Sequence, residues 1–161
     1  VVAPNEDRPL LVVLEGVEKP GNVGAVVRSA DAAGASAVVV ADGATDLYNP
    51  NAIRASLGTI FAVPVCAASS RETLDWLRRR HLRIFTARVD AAVPYTRLSY
   101  LEPAAFVLGS EAEGLSDTWQ GADLTAVSLP MRGLADSLNV STTAAVVLYE
   151  ALRQRDAGAA G

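Results

Sequence analysis

The sequence predicts an α/β fold in which helices cover both faces of a mainly parallel sheet. Several runs are short and wholly apolar, as strands buried on both faces are: Leu10–Leu14 (LLVVL), Ala37–Ala41 (AVVVA) and Ala104–Leu108 (AAFVL). Segments of helical character separate most of the predicted strands. The first strand, its turn, a helix and the second strand together span about 30 residues, the size of a right-handed parallel crossover.

The remaining elements follow from the same patterns. Gly34 is placed to end the first helix, and Ser69 or Ser70 to begin the third. The last helix carries an apolar stripe from Val140 to Leu152 and can be capped by Asn139 or Ser141. We predict strands at Leu10–Leu14, Ala37–Ala41, Ala62–Cys66, Leu82–Ala87, Ala104–Leu108 and Leu124–Leu129, and helices at Ala25–Ala33, Pro50–Leu57, Ser69–Arg80 and Val140–Arg155. One domain at residues 10–156 would then follow a linker or domain boundary (1–9) and precede a flexible tail (157–161).

Composition narrows the class of protein. The chain has 161 residues, 50% of them hydrophobic and 20% charged, which is typical of one globular domain. No apolar run is long enough to span a membrane and the start does not resemble a signal peptide, so we expect no membrane partner and a cytoplasmic location. With only Cys66 and His81, a disulfide within the chain is impossible and a Cys/His zinc site is nearly excluded, so no metal is predicted.

The net charge of −4 taken alone argues against a nucleic-acid-binding protein. However, every cationic side chain except Lys19 is an arginine. A guanidinium group binds phosphate through two parallel hydrogen bonds and stacks on bases. The distribution of arginines could therefore matter more than the total charge.

Three glycine-containing loops follow predicted strands: EKPGNVGAVVRSADAAG (18–34), LGSEAEGLSD (108–117) and LPMRGLADSLNVS (129–141). In an open parallel sheet, ligands bind beyond the carboxyl ends of the strands, so these loops are expected to form one site. None of them matches a Walker A or GxGxxG pattern, which disfavours NTP hydrolysis and ordinary dinucleotide binding. Arg28 lies in a small, apolar segment, where a structural ion pair and a functional role are equally plausible.

Together these loops resemble the SpoU (TrmH) family of RNA ribose 2′-O-methyltransferases. The resemblance rests on NVGAVVR (22–28) with Ala30 and Gly34, LGSE (108–111) with Gly114, and LPMRG (129–133) followed by SLNVS (137–141). The segment NPNAIRASLG (49–58) is also similar to the family. These motifs occur in the family order and cover nearly the whole chain.

The resemblance implies a sheet whose C-terminal part forms a deep trefoil knot, with S-adenosylmethionine held in the knotted loops. It implies that Gly109, Leu129 and Leu138 line the adenine slot, with Leu108, Met131 and Ser137 nearby. A small residue at position 109 would let the backbone approach the cofactor. The family also implies a homodimer with the active site near the subunit interface.

The catalytic residues are likewise implied by the resemblance. Arg28 matches the family arginine at the step in which the ribose hydroxyl is activated. Because arginine is almost always protonated, we expect it to grip the target phosphate and polarise the hydroxyl. Asn22, Glu111 and Asn139 match residues that shape the same site. Alternatively, the two asparagines are caps or loop ties, and Glu111 holds Arg28 or a neighbouring backbone group.

The expected substrate is RNA, with 23S ribosomal RNA favoured over tRNA by analogy with family members. A tRNA 2′-O-methyltransferase and a catalytically silent RNA-binding relative remain as alternatives. Because the chain is acidic and many relatives carry an N-terminal RNA-binding domain, we expect RNA specificity to lie largely outside these residues. The arginines between Arg71 and Arg83 are a further, weaker candidate for phosphate contact.

Overall fold

The computed structural model describes residues 7–43 and 46–160, with side chains through residue 158. The described residues form one sheet of six strands in the order β3-β2-β1-β5-β4-β6. Every pair of neighbouring strands is parallel, which confirms the predicted fold class. Of the predicted linker, residues 1–6 lie outside the described residues.

The bounds of the elements agree broadly with the sequence-based prediction. The strands are β1 (Leu10–Glu15), β2 (Ala37–Ala41), β3 (Val65–Ala68), β4 (Arg83–Ala87), β5 (Ala104–Gly109) and β6 (Leu124–Val127), and the helices are α1 (Pro20–Ala32), α2 (Pro50–Ser56), α3 (Ser70–Arg79) and α4 (Val140–Ala160). Three short 3₁₀ turns occur at Thr59–Phe61, Tyr95–Arg97 and Asp117–Trp119.

Apolar side chains are buried on both faces of the sheet. On β1, Leu10, Val12 and Leu14 belong to a core that includes residues of α1 and α4. Leu11 and Val13 belong to the opposite core, which includes residues of α3 and the Asp117–Trp119 turn. Because successive side chains of a strand point to opposite faces, the continuous apolar run of β1 serves both cores.

Helix α1 begins at Pro20, so the prediction that it starts at Ala25 was wrong. Proline is well suited to the first turn of a helix because its missing N–H would have no partner there. The predicted end at Gly34 is confirmed. Gly34 has φ +75°, and the N–H of Ala35 donates to the carbonyl of Ala30 at 2.8 Å, which closes the helix in a Schellman motif.

Helices α1 and α2 pack unusually closely at Gly24. A Cβ atom built on this glycine would lie 2.2 Å from the carbonyl oxygen of Ala52 and 2.8 Å from the Cβ of Ala55. Such distances leave no space for any side chain. Gly24 therefore allows the NVGAVVR segment to rest directly on the backbone of α2.

The predicted cap of α3 is also present. The Ser69 side chain accepts a hydrogen bond from the backbone N–H of Glu72 at 3.1 Å, and the Glu72 carboxylate accepts one from the N–H of Ser69 at 3.2 Å. This reciprocal arrangement is a capping box. It fixes the start of α3 just after the carboxyl end of β3.

Two strands and the C-terminus differ from prediction. β3 begins at Val65 rather than Ala62, since the prolyl residue before it, Pro64, has no N–H for the ladder. β6 ends at Val127 rather than Leu129, because Ser128 instead exchanges backbone hydrogen bonds with the loop after β4. Residues 157–160 are helical, so the predicted tail is wrong there; the alanines of this segment favour helix.

No helix within the described residues combines the length and the hydropathy needed to cross a bilayer.

Candidate active site

A cavity of about 560 Å³ opens at the carboxyl edge of the sheet. Its walls come from the ends of β4, β5 and β6, the loop before α4 and the first turns of α4. All six residues predicted to bind the cofactor line it: Leu108, Gly109, Leu129, Met131, Ser137 and Leu138. The structure thus brings two of the three predicted loops together around one space, although the role of each residue stays a prediction.

The packing of its own loop gives Gly109 a reason to be small in addition to the predicted one. A Cβ atom at this position would lie 2.3 Å from the carbonyl carbon of Gly114 and 2.7 Å from the backbone nitrogen of Leu115. The loop after β5 folds back onto itself here, and an antiparallel bridge joins Ser110 to Gly114. Glycine is therefore needed to close this loop, whether or not a ligand also approaches.

Residues of all three motifs meet at the start of α4. Asn139 caps this helix, since its Oδ1 accepts a hydrogen bond from the N–H of Ser141 at 2.8 Å. Its Nδ2 donates to Oδ1 of Asn22 at 3.3 Å, which links α4 to the first turn of α1. The Glu111 carboxylate accepts a long hydrogen bond of 3.4 Å from the N–H of Val140. Asn139 thus caps α4, and its hydrogen bond to Asn22 ties α4 to α1. Glu111 holds a neighbouring backbone group rather than Arg28.

Arg28 lies apart from the cavity. It is exposed on α1 and does not line the cavity, and among the described residues it forms no ion pair or side-chain hydrogen bond. Because α1 starts at Pro20, Arg28 lies in the third turn of the helix, about 9 Å along the axis from Asn22. A structural ion pair therefore does not explain this arginine within the described chain.

The loop that precedes α4 is unusually open. Residues 132–139 are all exposed, and Leu134 is fully so at 104%. Leu138 lines the cavity yet remains 37% exposed. The loop thus presents the apolar side chains of Leu134 and Leu138 to solvent beside the cavity.

A buried carboxylate lies beside the cavity at the end of β1. Glu15 is only 6% exposed and accepts hydrogen bonds from the Ser116 N–H (2.6 Å), the Ser116 hydroxyl (2.8 Å), the Trp119 indole (2.8 Å) and the Ser70 hydroxyl. Burial alone would raise the pKa of Glu15, but these hydrogen bonds outweigh it, so that the pKa lies below its ordinary value. The charged carboxylate fixes the segment that follows the 110–115 loop.

The charged side chains that line the cavity are mostly acidic. Four carboxylates line it, from Asp90, Glu111, Glu113 and Asp136, whereas Arg88 is the one cation among its lining residues. Within the described chain no cluster of three or more His, Cys, Asp or Glu side chains could hold a metal ion. Such a wall suits an organic ligand that carries positive charge.

Comparison with known proteins agrees with this site. The sequence model described as the SpoU rRNA Methylase family matches residues 9–149. The chain belongs to this family. The match includes all three motif loops and every residue named above as part of the cavity.

Curated members of the SpoU family confirm the assignment. The 23S rRNA (uridine(2479)-2′-O)-methyltransferase of Streptomyces viridochromogenes is 37% identical over 91% of this chain and 53% of its own length. The 23S rRNA (guanosine-2′-O-)-methyltransferase RlmB of Ralstonia nicotianae is 37% identical over 93% of this chain and 61% of its own length. The chain therefore spans a little more than half the length of these relatives.

Solved SpoU structures share the fold. A crystal structure of an RNA 2′-O ribose methyltransferase is 50% identical, with a TM-score of 0.86 over 94% of this chain and 58% of that chain. The SpoU methyltransferase AviRb from Streptomyces viridochromogenes, in complex with the cofactor AdoMet, is 34% identical, with a TM-score of 0.89 over 96% and 60%. The A. aeolicus TrmH/SpoU tRNA modifying enzyme is 26% identical, with a TM-score of 0.85 over 96% and 80%.

Sequence reasoning missed the fourth loop of this SpoU site. Residues 88–90, which follow β4, line the cavity, and neither Arg88 nor Asp90 was predicted. The signal was available, because the rule that ligands bind beyond the carboxyl ends of parallel strands applies to β4 as well. The buried partners of Glu15 were also missed, since nothing local in SDTW (116–119) indicates a distant carboxylate.

Proposed function

We propose that this chain is the catalytic domain of an S-adenosylmethionine-dependent RNA ribose 2′-O-methyltransferase, with 23S ribosomal RNA as the favoured substrate. The observation that supports it best is the meeting of three motifs at the start of α4. Asn22, Glu111 and Asn139 come from three separate motifs, and two hydrogen bonds join these motifs at the start of α4: Asn139 to Asn22, and the Val140 N–H to Glu111. Curated relatives that are 37% identical over more than nine-tenths of this chain are named as 23S rRNA 2′-O-methyltransferases.

The cavity suits S-adenosylmethionine in size and chemistry. Leu108, Leu129 and Leu138 offer apolar surface for an adenine ring, while the backbone of the 109–115 loop offers polar groups beside it. The four carboxylates suit the positive sulfonium and ammonium groups. When bound there, the cofactor would supply an activated methyl group.

The protein's own residues would orient and polarise the acceptor. The Arg28 guanidinium is exposed and has no partner among the described residues, so its donors are available for an RNA phosphate and the neighbouring ribose hydroxyl. Asn22 lies on the same helix and is tied to Asn139 at the edge of the cavity. Asn22 would therefore lie beside the bound cofactor, and Arg28 would contact the RNA farther along the same helix.

Replacement of Arg28 tests this assignment. We expect Arg28→Ala to reduce methyl transfer by about 30- to 1,000-fold, because charge-assisted contacts to the reacting group are worth about 2–4 kcal/mol. Cofactor affinity in calorimetry should stay unchanged, since Arg28 does not line the cavity. Arg97→Ala is the matched control, because this exposed arginine lies outside the three motifs and does not line the cavity. Full activity of Arg28→Ala would remove the residue from the mechanism.

The RNA class can be tested with substrates that differ only in type. Transfer of a labelled methyl group to 23S rRNA transcripts, and none to tRNA, would support the favoured substrate. The alternative is a tRNA enzyme, since a structurally similar protein is described as tRNA modifying. Absence of transfer to either RNA by a longer protein that includes this chain, with intact cofactor binding, would instead support a silent RNA-binding relative.

We also propose the trefoil knot and the homodimer that the family resemblance implies. In support of the knot, Ser128 exchanges backbone hydrogen bonds of 2.9 Å with Val93 and Tyr95, so the end of β6 passes against the loop after β4. In support of the dimer, Leu134 and Tyr149 expose apolar surface near the cavity loop and on α4. Light scattering of the purified chain would test the dimer directly.

RNA selection is proposed to depend on residues beyond these 161. The chain covers 53% and 61% of the two relatives described above, and its net charge is −4. An acidic domain gains little from non-specific phosphate contact. Equal methylation efficiency by this chain and by a longer protein that includes it would contradict the idea. A cytoplasmic location stays a prediction.

A further inference from the structure

Arg88 is the single cation among the residues that line the cavity, and no motif of the sequence accounts for it. We propose that Arg88 binds the carboxylate of the amino-acid half of S-adenosylmethionine. The inference rests on the proposed function, because it assigns a role within the proposed cofactor site. It concerns a residue in the loop after β4, outside the three motifs.

The guanidinium of Arg88 is held in place by the protein. Its Nη2 donates to the backbone carbonyl of Trp119 at 2.7 Å. Trp119 is 1% exposed and is itself held by the hydrogen bond from its indole to the buried Glu15 carboxylate. The backbone of Arg88 is fixed too, since its N–H donates to the carbonyl of Val127 at 2.9 Å.

The same guanidinium keeps donors for a ligand. A guanidinium group has five N–H donors, and the bond to Trp119 uses one. No ion pair with Arg88 exists among the described residues. An anchored but unpaired arginine that lines a cavity is preorganised to bind a carboxylate through two parallel hydrogen bonds.

The charges of the cavity match those of the cofactor. S-adenosylmethionine carries two positive groups, the sulfonium and the ammonium, and one carboxylate. The wall supplies four carboxylates for the positive groups, but those same carboxylates repel the cofactor's own carboxylate. Arg88 is the one cationic side chain on this wall that can favour that anion.

Calorimetry with two ligands on the full chain tests the proposal. S-adenosylmethionine and decarboxylated S-adenosylmethionine differ only in the carboxylate. The wild-type protein should bind the former about 10- to 100-fold more tightly, the usual worth of a charge-assisted hydrogen bond. In Arg88→Met this preference should disappear, through weaker binding of S-adenosylmethionine alone. Arg88→Lys should keep part of the preference, and Arg83→Met, at the other end of β4, should keep all of it.

Other outcomes are equally informative. Equal affinity of the wild-type protein for both ligands would overturn the proposal without any variant. Equal weakening of both ligands in Arg88→Met would also overturn it, since it would show that Arg88 only supports the β4 loop through Trp119. Absence of binding of either ligand to the folded wild-type protein would instead contradict the proposed function itself.

Discussion

Gly24 makes the strongest prediction about stability, because the chain provides its own control. Gly24 and Gly21 lie one helical turn apart on α1. A Cβ at Gly21 would meet no atom within 4 Å, whereas one at Gly24 would lie 2.2 Å from the Ala52 carbonyl oxygen. The same substitution, glycine to alanine, therefore has opposite expected effects at the two sites.

The magnitudes follow from the geometry. At Gly24 the new atom falls roughly 1 Å short of ordinary contact with a backbone oxygen, so α1 and α2 must separate, at a cost near the upper end of overpacking, about 3 kcal/mol. The better helix propensity of alanine offsets about 1 kcal/mol of this. Gly24→Ala should therefore lose about 2 kcal/mol of unfolding free energy, and Gly21→Ala should gain up to about 1 kcal/mol.

Thermal and urea unfolding followed by circular dichroism would measure the difference. For a chain of this size, the Tm should fall by about 4–8 °C in Gly24→Ala and rise by about 2–4 °C in Gly21→Ala. If the two variants agreed in unfolding free energy within about 0.5 kcal/mol, the close packing of α1 on α2 would be refuted.

Two further predictions concern Glu15 and Ser69. Because the folded-state pKa of Glu15 lies below its ordinary value of 4.5, its contribution is complete above pH 4.5 and is lost as pH falls through the folded-state pKa. Urea titrations from neutral to acidic pH should thus show a smaller loss of stability in Glu15→Gln, and parallel pH curves for the two proteins would contradict this. Ser69→Ala removes the capping box of α3 and should cost about 1 kcal/mol in urea unfolding. An unchanged urea midpoint would show that the capping box does not contribute to the free energy of unfolding.

Much of the fold was predictable because short-range sequence patterns determine many of its elements. The apolar run at Leu10–Leu14, the cap at Ser69 and the glycine at Gly34 each act within a few residues, and all three were found where the sequence indicated. The strand order was not predictable in the same way. β1 pairs with both β2 and β5, and its partners on β5 lie 94 residues further along the chain (Leu10 pairs with Ala104), so this pairing depends on tertiary packing.

The candidate site, like the fold, was predictable only in part. The residues around the cavity were found through a family resemblance, but the reasons for some of them were not. Gly109 is required by the return of its own loop at Gly114, a contact that no spacing rule reveals. Arg88 was missed because it belongs to no motif and owes its position to Trp119, 31 residues away.

The contact between Asn22 and Asn139 has a consequence for how this protein comes into being. These residues are 117 positions apart, so α1, which is synthesised well before α4, must wait for α4 before their hydrogen bond can form. Val140 and Thr143 of that last helix also complete the wall of the cavity. A nascent or C-terminally truncated chain could assemble most of its sheet and still lack a ligand site. Ligand affinity therefore reports on completion of the whole domain, and contacts of such long range are expected to form slowly.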